Sequence, residues 1–355
     1  MLRKGVVRIN ILSDFHHAGL YNSLLMLFEG RLGGEVYRPI GMEWYEQGFW
    51  NVYPHIDTAK QYLSLDQLYM PVDGAPPLNQ IVKDEDGVYH CHDIDSHETN
   101  KAISLDKFKE MQFDILIASI PQHIEPFQRL IQLYQPQAKL IFQIGNAWNV
   151  PQGIGVKNVM ASAIVPNVPQ GVNFVSYHQE FDTKVFSPSP IPTTKKIYSF
   201  VNCLGIADLF KPDWELFLEL ERLMPDWEFK SFGGQCRDGA IRGDEAIANK
   251  MREATFIFHC KTGGDGYGHV IHTAAAVGRP LITRAADYQG KLAEPLIGDA
   301  ITSLIVDGRS PSDIAEIIRI DAVETMGFNI SRKFKQVVDF NKEEQEIRTF
   351  LDRLQ

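Results

Sequence analysis

The sequence predicts an α/β protein made of two successive strand–helix series, and three observations carry that prediction. Short apolar runs alternate with helix-spaced segments along most of the chain, the rhythm of parallel sheets covered by helices. A proline-rich stretch, residues 165–194, cuts the alternation in two. The length, 355 residues, exceeds that of one ordinary domain and suits two.

In the first series, residues 6–12 read as a buried strand, 13–19 as a loop and 21–29 as a helix. Ligands of parallel sheets bind at the carboxyl ends of strands, which puts His16 and His17 where a ligand could sit. Residues 34–77 are rich in aromatics, among them Tyr37, Trp44, Phe49 and Trp50. These could stack on a sugar or a base, or simply fill a core beneath long loops. Residues 84–99 hold His90, Cys91, His92, Asp93, Asp95 and His97, a set that invites a metal reading. Its spacing matches no closed zinc pattern, and solvated loop residues are the plainer account. The turn Asp86-Gly87 before an alternating run predicts a hairpin strand with His90 and His92 on one face. Strands follow over 113–118, 139–144 and 159–165, with a helix over 125–134. His123 follows the 113–118 strand directly, on its terminal loop. A histidine there either orients a substrate or plays no part.

The second series reads as a strand over 196–203, a helix over 214–223, a strand over 228–232 and a helix over 244–252. A strand over 301–306 and a helix begun by Ser310-Pro311-Ser312-Asp313 come later. Residues 332–355 are charged and helical.

Between these lies the stretch on which a function is best argued, residues 254–283. An apolar strand, 254–260, runs into a turn containing Gly263, Gly264, Gly266 and Gly268, then a small-residue helix from His269 to Val277 stopped by Gly278. Glycines let the backbone approach a ligand, and the first-turn amides of the helix favour an anion. The spacing is neither a dinucleotide fingerprint nor a P-loop. A glycine turn alone is often only a tight connection. Asp265 within it and Tyr267 between glycines are what raise it above that.

The formal net charge of −10 disfavours a protein devoted to nucleic acid, without excluding a local basic groove. Cys91, Cys203, Cys236 and Cys260 form no CxxC pair and read as thiols in a reducing, cytoplasmic setting. No signal peptide or membrane span is expected.

Several motifs resemble those of the retaining glycosyltransferase family 4, which is similar to glycogen synthases. Phe181-Asp182 through Phe186-Ser187-Pro188 looks like the family's linker motif. Residues 196–203 look like the first strand of its second domain, and 223–233 like the following helix end and strand. Asp265-Gly266-Tyr267-Gly268 through Thr273 to Gly278-Arg279-Pro280 looks like its acid–glycine–aromatic–glycine motif, and Asp307-Gly308 like its late strand ending. The match covers residues 180–320, while the first series shares only the strand–helix rhythm.

The resemblance implies GT-B architecture: two Rossmann-like α/β domains with parallel sheets facing across a cleft. The acceptor domain would span 1–178 and the nucleotide-sugar donor domain 179–332, with a C-terminal helix over about 333–355 packing back on the first. It implies transfer of a sugar from a nucleotide-diphosphate sugar to an acceptor hydroxyl of a glycan, lipid or other small compound. The chemistry would be retaining, with no metal and no cofactor beyond the donor. Asp265 stands where the family's first glutamate meets the donor sugar. Lys261, Gly264, Gly266, Tyr267, Gly268, His269 and Thr273 would surround sugar and diphosphate. Arg237, Arg242 and Lys211 join Lys261 as candidates for the basic side chain on the diphosphate. His123 would act near the transferring carbon. His16, His17 and Gly19 would form the acceptor or diphosphate loop, where the family has paired glycines. Two departures matter. The Gly-Arg pair after the first donor-domain strand reads Asn202-Cys203-Leu204-Gly205, and the second glutamate, which holds the ribose hydroxyls, is Thr273. Binding would then be weaker or redistributed to His272 or elsewhere. These departures keep open a non-catalytic binding module or partner subunit, and a nucleotide-sugar epimerase also stays within the fold.

Overall fold

The computed structural model describes residues 9–15, 18–50, 56–64, 79–93, 99–145, 155–205, 210–318 and 322–355. The chain forms two compact units, Met1–Glu180 with Phe340–Gln355, and Phe181–Asp339.

The described strands of the first unit are β1 (Asn10–Ser13), β2 (Glu35–Pro39), β3 (Asn79–Lys83), β4 (Tyr89–Asp93), β5 (Thr99–Ile103), β6 (Ile115–Ala118), β7 (Lys139–Ile144), β8 (Asn158–Ala161) and β9 (Asn173–Ser176). They make one sheet in the order β3-β4-β5-β2-β1-β6-β7-β8-β9. Only β4 runs against its neighbours, because the Asp84–Val88 turn folds it back on β3. That is the hairpin the sequence predicts. The sheet's centre is buried on both faces, which is why its strands read as unbroken apolar runs. Leu12, Leu116, Phe142 and Val159 enter one core layer, and Ile11, Ile115, Ile141 and Met160 enter the other. Helices α1 (Ala18–Leu24), α2 (Glu43–Glu46), α3 (Ile56–Leu63), α4 (Leu105–Glu110) and α5 (Ile124–Tyr134) accompany it. A π-helical segment, Leu25–Arg31, continues α1.

The second unit holds β10 (Lys196–Ser199), β11 (Glu228–Ser231), β12 (Phe256–Phe258), β13 (Leu281–Thr283) and β14 (Ser303–Ile305). They form a parallel sheet in the order β11-β10-β12-β13-β14. Its helices are α6 (Lys211–Leu223), α7 (Asp244–Glu253), α8 (His269–Val277), α9 (Pro311–Ile318) and α10 (Val323–Val337). Ile197, Phe217, Leu220, Phe229, Phe258 and Ile282 centre its core. Ser310 accepts the Asp313 amide at 3.2 Å, the cap expected for α9.

Two expectations change, and one reading left open is decided. The stretch 165–194 is not wholly a connection, since β9 lies inside it and extends the first unit's sheet. Asn173 anchors that strand by donating to the Phe350 carbonyl at 3.0 Å. The helical tail is broken: α10 ends at Val337, Val338 is extended, and α11 (Phe340–Asp352) belongs to the first unit, where Ile347 and Phe350 are buried. The aromatics of 34–50 serve packing, with Trp44 and Trp50 fully buried.

Among the described residues, no helix is long and apolar enough to cross a membrane, and no group of three His, Cys, Asp or Glu could hold a metal. His90 instead bonds Asp84 at 2.7 Å, and Asp95 and His97 lie outside the described residues. All four cysteines are free thiols.

Candidate functional site

The turn from β12 to α8 is held by polar contacts from several elements of the second unit. His259 follows the strand and is locked to β13 by its backbone. Its amide donates to the Ile282 carbonyl and its own carbonyl accepts the Thr283 hydroxyl, both at 2.8 Å. Its ring is 1% exposed, and Nε2 lies 2.9 Å from Asp265 Oδ2. Lys261 ion-pairs with the other carboxylate oxygen. Burial pushes the Asp265 carboxyl up, but the hydrogen bond and charge of His259, with the charge of Lys261, outweigh it and hold the group well below the usual carboxylate range. Asp265 is therefore an anion with both oxygens engaged.

Neighbouring elements hold the rest of the turn. Asp213, buried at the start of α6, accepts the Thr262 amide at 2.7 Å and its hydroxyl at 2.8 Å, and ion-pairs with Arg284. Asp287 accepts the Gly263 amide at 3.0 Å, and Lys291 donates to the Gly263 carbonyl at 2.7 Å. Burial lowers the Lys291 pKa, and Lys261 adds to this, while Asp265 and Asp287 oppose it. Gly264 has φ +65°, and a Cβ there would come within 2.4 Å of the Asp287 carbonyl oxygen. The residue is glycine because nothing larger fits so close to that strap.

The turn delivers the chain into α8 through Gly268, and no side chain caps that helix start. The positive end of the helix dipole thus faces the site uncompensated by an acid in the first turn. Ala274, Ala275 and Ala276 are buried, as expected of a helix lying flat on its sheet. Tyr267 is buried and stacks on His272 with centroids 4.3 Å apart. Thr273 turns its hydroxyl into its own helix, donating to the carbonyls of His269 and Val270 at 3.0 and 3.2 Å.

Beside α8 lies a cavity of about 270 Å³. Phe186, Phe200 and Phe232 give it apolar walls; Asn202, Asp244, His269 and Thr273 supply polar groups. It lies where the carboxyl ends of β10 and β11 meet α7 and α8, the position in an open α/β sheet at which ligands bind.

The other candidates are placed as follows. Arg237 is engaged elsewhere: it binds Glu221 at 2.8 Å, Asp238 at 3.1 Å and the Phe229 carbonyl at 2.7 Å. Lys211 is exposed and Arg242 half-buried. Of the four basic candidates, Lys261 is the one that contacts Asp265. In the first unit His123 is wholly buried, its Nδ1 2.5 Å from Asp14 Oδ2. Asp14 also accepts the Ser119 amide at 2.9 Å. His123 stacks on Phe127, and its Nε2 has no partner among the described residues. Gly19 lies in α1, and His16 and His17 lie outside the described residues.

Among the residues of these arrangements that escape a sequence reading are Asp14, Asp213, Asp244, His259, Arg284, Asp287 and Lys291. His259 is hidden in an apolar run and Asp213 in a helix start. A polar residue ending a buried strand is the one local signal that could have marked His259.

No protein-family model matches the chain, and no curated protein matches it. Solved structures do. Alr3699/HepE of Anabaena, determined with UDP and glucose, is 11% identical with a TM-score of 0.60, over 98% of this chain and 100% of that one. TarM of S. aureus, determined as a point mutant with fondaparinux, α-GlcNAc-glycerol and UDP, is 9% identical with a TM-score of 0.58, over 97% and 99%. Sucrose-phosphate synthase of Thermosynechococcus elongatus is 12% identical with a TM-score of 0.59, over 98% and 99%. All three are GT-B glycosyltransferases, and this chain has their fold, an α/β architecture of two Rossmann-like units.

Proposed function

We propose that the chain is a retaining glycosyltransferase that moves a sugar from a nucleoside-diphosphate sugar to an acceptor hydroxyl without a metal ion. The observation that carries this reading is the turn of residues 261–268, where an ionised Asp265 and the start of α8 share one glycine-rich loop. A carboxylate suits sugar hydroxyls, and a helix start entered from a turn that Lys261 and Lys291 contact suits a diphosphate. The aromatic-walled cavity beside them suits a nucleoside. Structures of this fold solved with UDP or UDP-glucose make a uridine donor the first to test. The free thiols fit work in the cytoplasm.

In the proposed reaction the acceptor oxygen bonds to the anomeric carbon on the face from which the diphosphate departs. The carbon–oxygen bond to the phosphate breaks, and the leaving phosphate takes the hydroxyl proton. Charge building on that phosphate is what the α8 start and the two lysines stabilise.

The test is incubation with UDP-glucose, UDP-GlcNAc, GDP-mannose and ADP-glucose, with and without glycan and lipid acceptors, read by nucleotide release and product mass. Turnover of one donor, lowered about 100-fold or more in Asp265→Asn, is expected. A second reading, a binding module without turnover, is favoured by the full engagement of both Asp265 oxygens. Donor binding with no hydrolysis or transfer under any condition would select it.

A further inference from the structure

We propose that Asp244 grips the 2′,3′-diol of the donor's ribose from the first turn of α7. The inference rests on the proposed nucleotide-sugar reading and names the group that holds one part of that donor.

Asp244 and Thr273 line the same cavity from α7 and α8. Thr273 has one hydroxyl proton, and it is directed to the carbonyls of its own helix. Asn202 already accepts the Gly234 amide through Oδ1 at 3.0 Å. Asp244 is the only carboxylate among the lining residues, and it has no hydrogen bond or ion pair among the described residues. Burial, and then the charge of Asp182, push its pKa up. Asp244 is half-buried at the cavity wall beside a second acid, so its carboxylate is less well solvated than on an open surface and has no protein donor of its own among the described residues. A ligand with two adjacent hydroxyl donors removes the disadvantage. A carboxylate offers two acceptor oxygens in a fork, which a vicinal diol matches and a single hydroxyl does not. Gly243, at φ +78°, turns the chain so that Asp244 opens α7 at the cavity wall.

The experiment is calorimetric titration of the full chain, as wild type, Asp244→Asn and Asp244→Glu, with UDP, GDP and ADP and with their 2′-deoxy and 3′-deoxy forms. Removing either hydroxyl should weaken wild-type binding by about 10-fold or more, the usual effect of a charge-assisted hydrogen bond. Asp244→Asn should bind the ribonucleotide as weakly as the wild type binds the deoxy form, and should be indifferent to the hydroxyl. Asp244→Glu should recover part of the discrimination, which loss of folding would not permit. An Asp244→Asn protein that discriminates as well as the wild type overturns the inference and leaves the proposed function standing. So does one whose preference among the three bases changes while its ribose discrimination does not. A wild type that binds none of the nucleotides overturns the proposed function and this inference together.

Discussion

His259 meets Asp265 at 2.9 Å inside the second unit, with the imidazole 1% exposed and the carboxylate at the edge of the turn. The contact ties the residue just after a buried strand to the acid of the glycine loop. It makes Asp265 an anion over a wide range of pH. The carboxyl pKa is depressed, so the stability it contributes is fully present above its unfolded value, about 3.9, and is lost only as pH falls further, through the folded value. Asp265→Asn should lower kcat by about 100-fold or more while far-UV circular dichroism is unchanged. A pH–rate profile of the wild type should show no ionisation of Asp265 between pH 5 and 9. An acid limb in that range that disappears in Asp265→Asn would contradict this.

His259→Phe keeps the buried ring volume and removes the donor. The carboxylate then retains Lys261 alone. The expected result is a fall in kcat of about 10- to 100-fold. His259→Gln, which keeps an N–H donor, should recover part of it. Equal activity of Phe and Gln variants would show that the hydrogen bond is irrelevant.

Two adjacent glycines should respond differently to alanine. Gly263 has φ +82° with nothing within 4 Å of a built Cβ, so Gly263→Ala should cost only the left-handed backbone penalty, about 1 kcal/mol. Gly264→Ala adds a collision with the Asp287 carbonyl at 2.4 Å and should cost about 3 kcal/mol. Urea unfolding monitored by tryptophan fluorescence separates the two.

In the first unit, Asp14→Ala removes the partner of a wholly buried histidine and of the Ser119 amide. A loss of about 3 kcal/mol is expected, since a broken buried pair leaves polar groups uncompensated. Equilibrium urea denaturation measures it, and a loss under about 1 kcal/mol would show that water replaces the carboxylate.

Asp244 should reveal itself as a residue kept at the expense of stability. Its folded pKa is raised, so the native state holds the proton more tightly than the unfolded chain, and stability falls as pH rises from the ordinary aspartate value through the folded one. Asp244→Asn should therefore melt higher than the wild type at pH 7, and the difference should vanish below about pH 4. A lower melting temperature for the variant at pH 7 would reverse the sign of this argument.

How much of this was legible beforehand varies by element. Helix α8 begins and ends where the sequence places it, because Gly268 and Gly278 punctuate a compact apolar segment. The strands β6, β7 and β12 announce themselves as apolar runs because both faces of their sheets are covered. By contrast β9 lacks such a run, since a strand at a sheet edge is stabilised by its one-sided packing and pairing more than by its own composition. The acid of the turn was visible, and its company was not. Lys261 is four residues from Asp265, but Lys291 and Asp287 arrive from beyond β13.

By itself, the sequence determined the alternating α/β character, the glycine turn with its acid and the absence of a glutamate at position 273, because each of these depends on residues close together in the chain. The tertiary structure alone decided that Asp265 is shared between His259 and Lys261, that Arg237 is committed to Glu221 and Asp238, and that Asp244 faces the cavity of Thr273. Hydrogen bonds and burial act through space, and only the packing of one strand end against another brings those partners within reach.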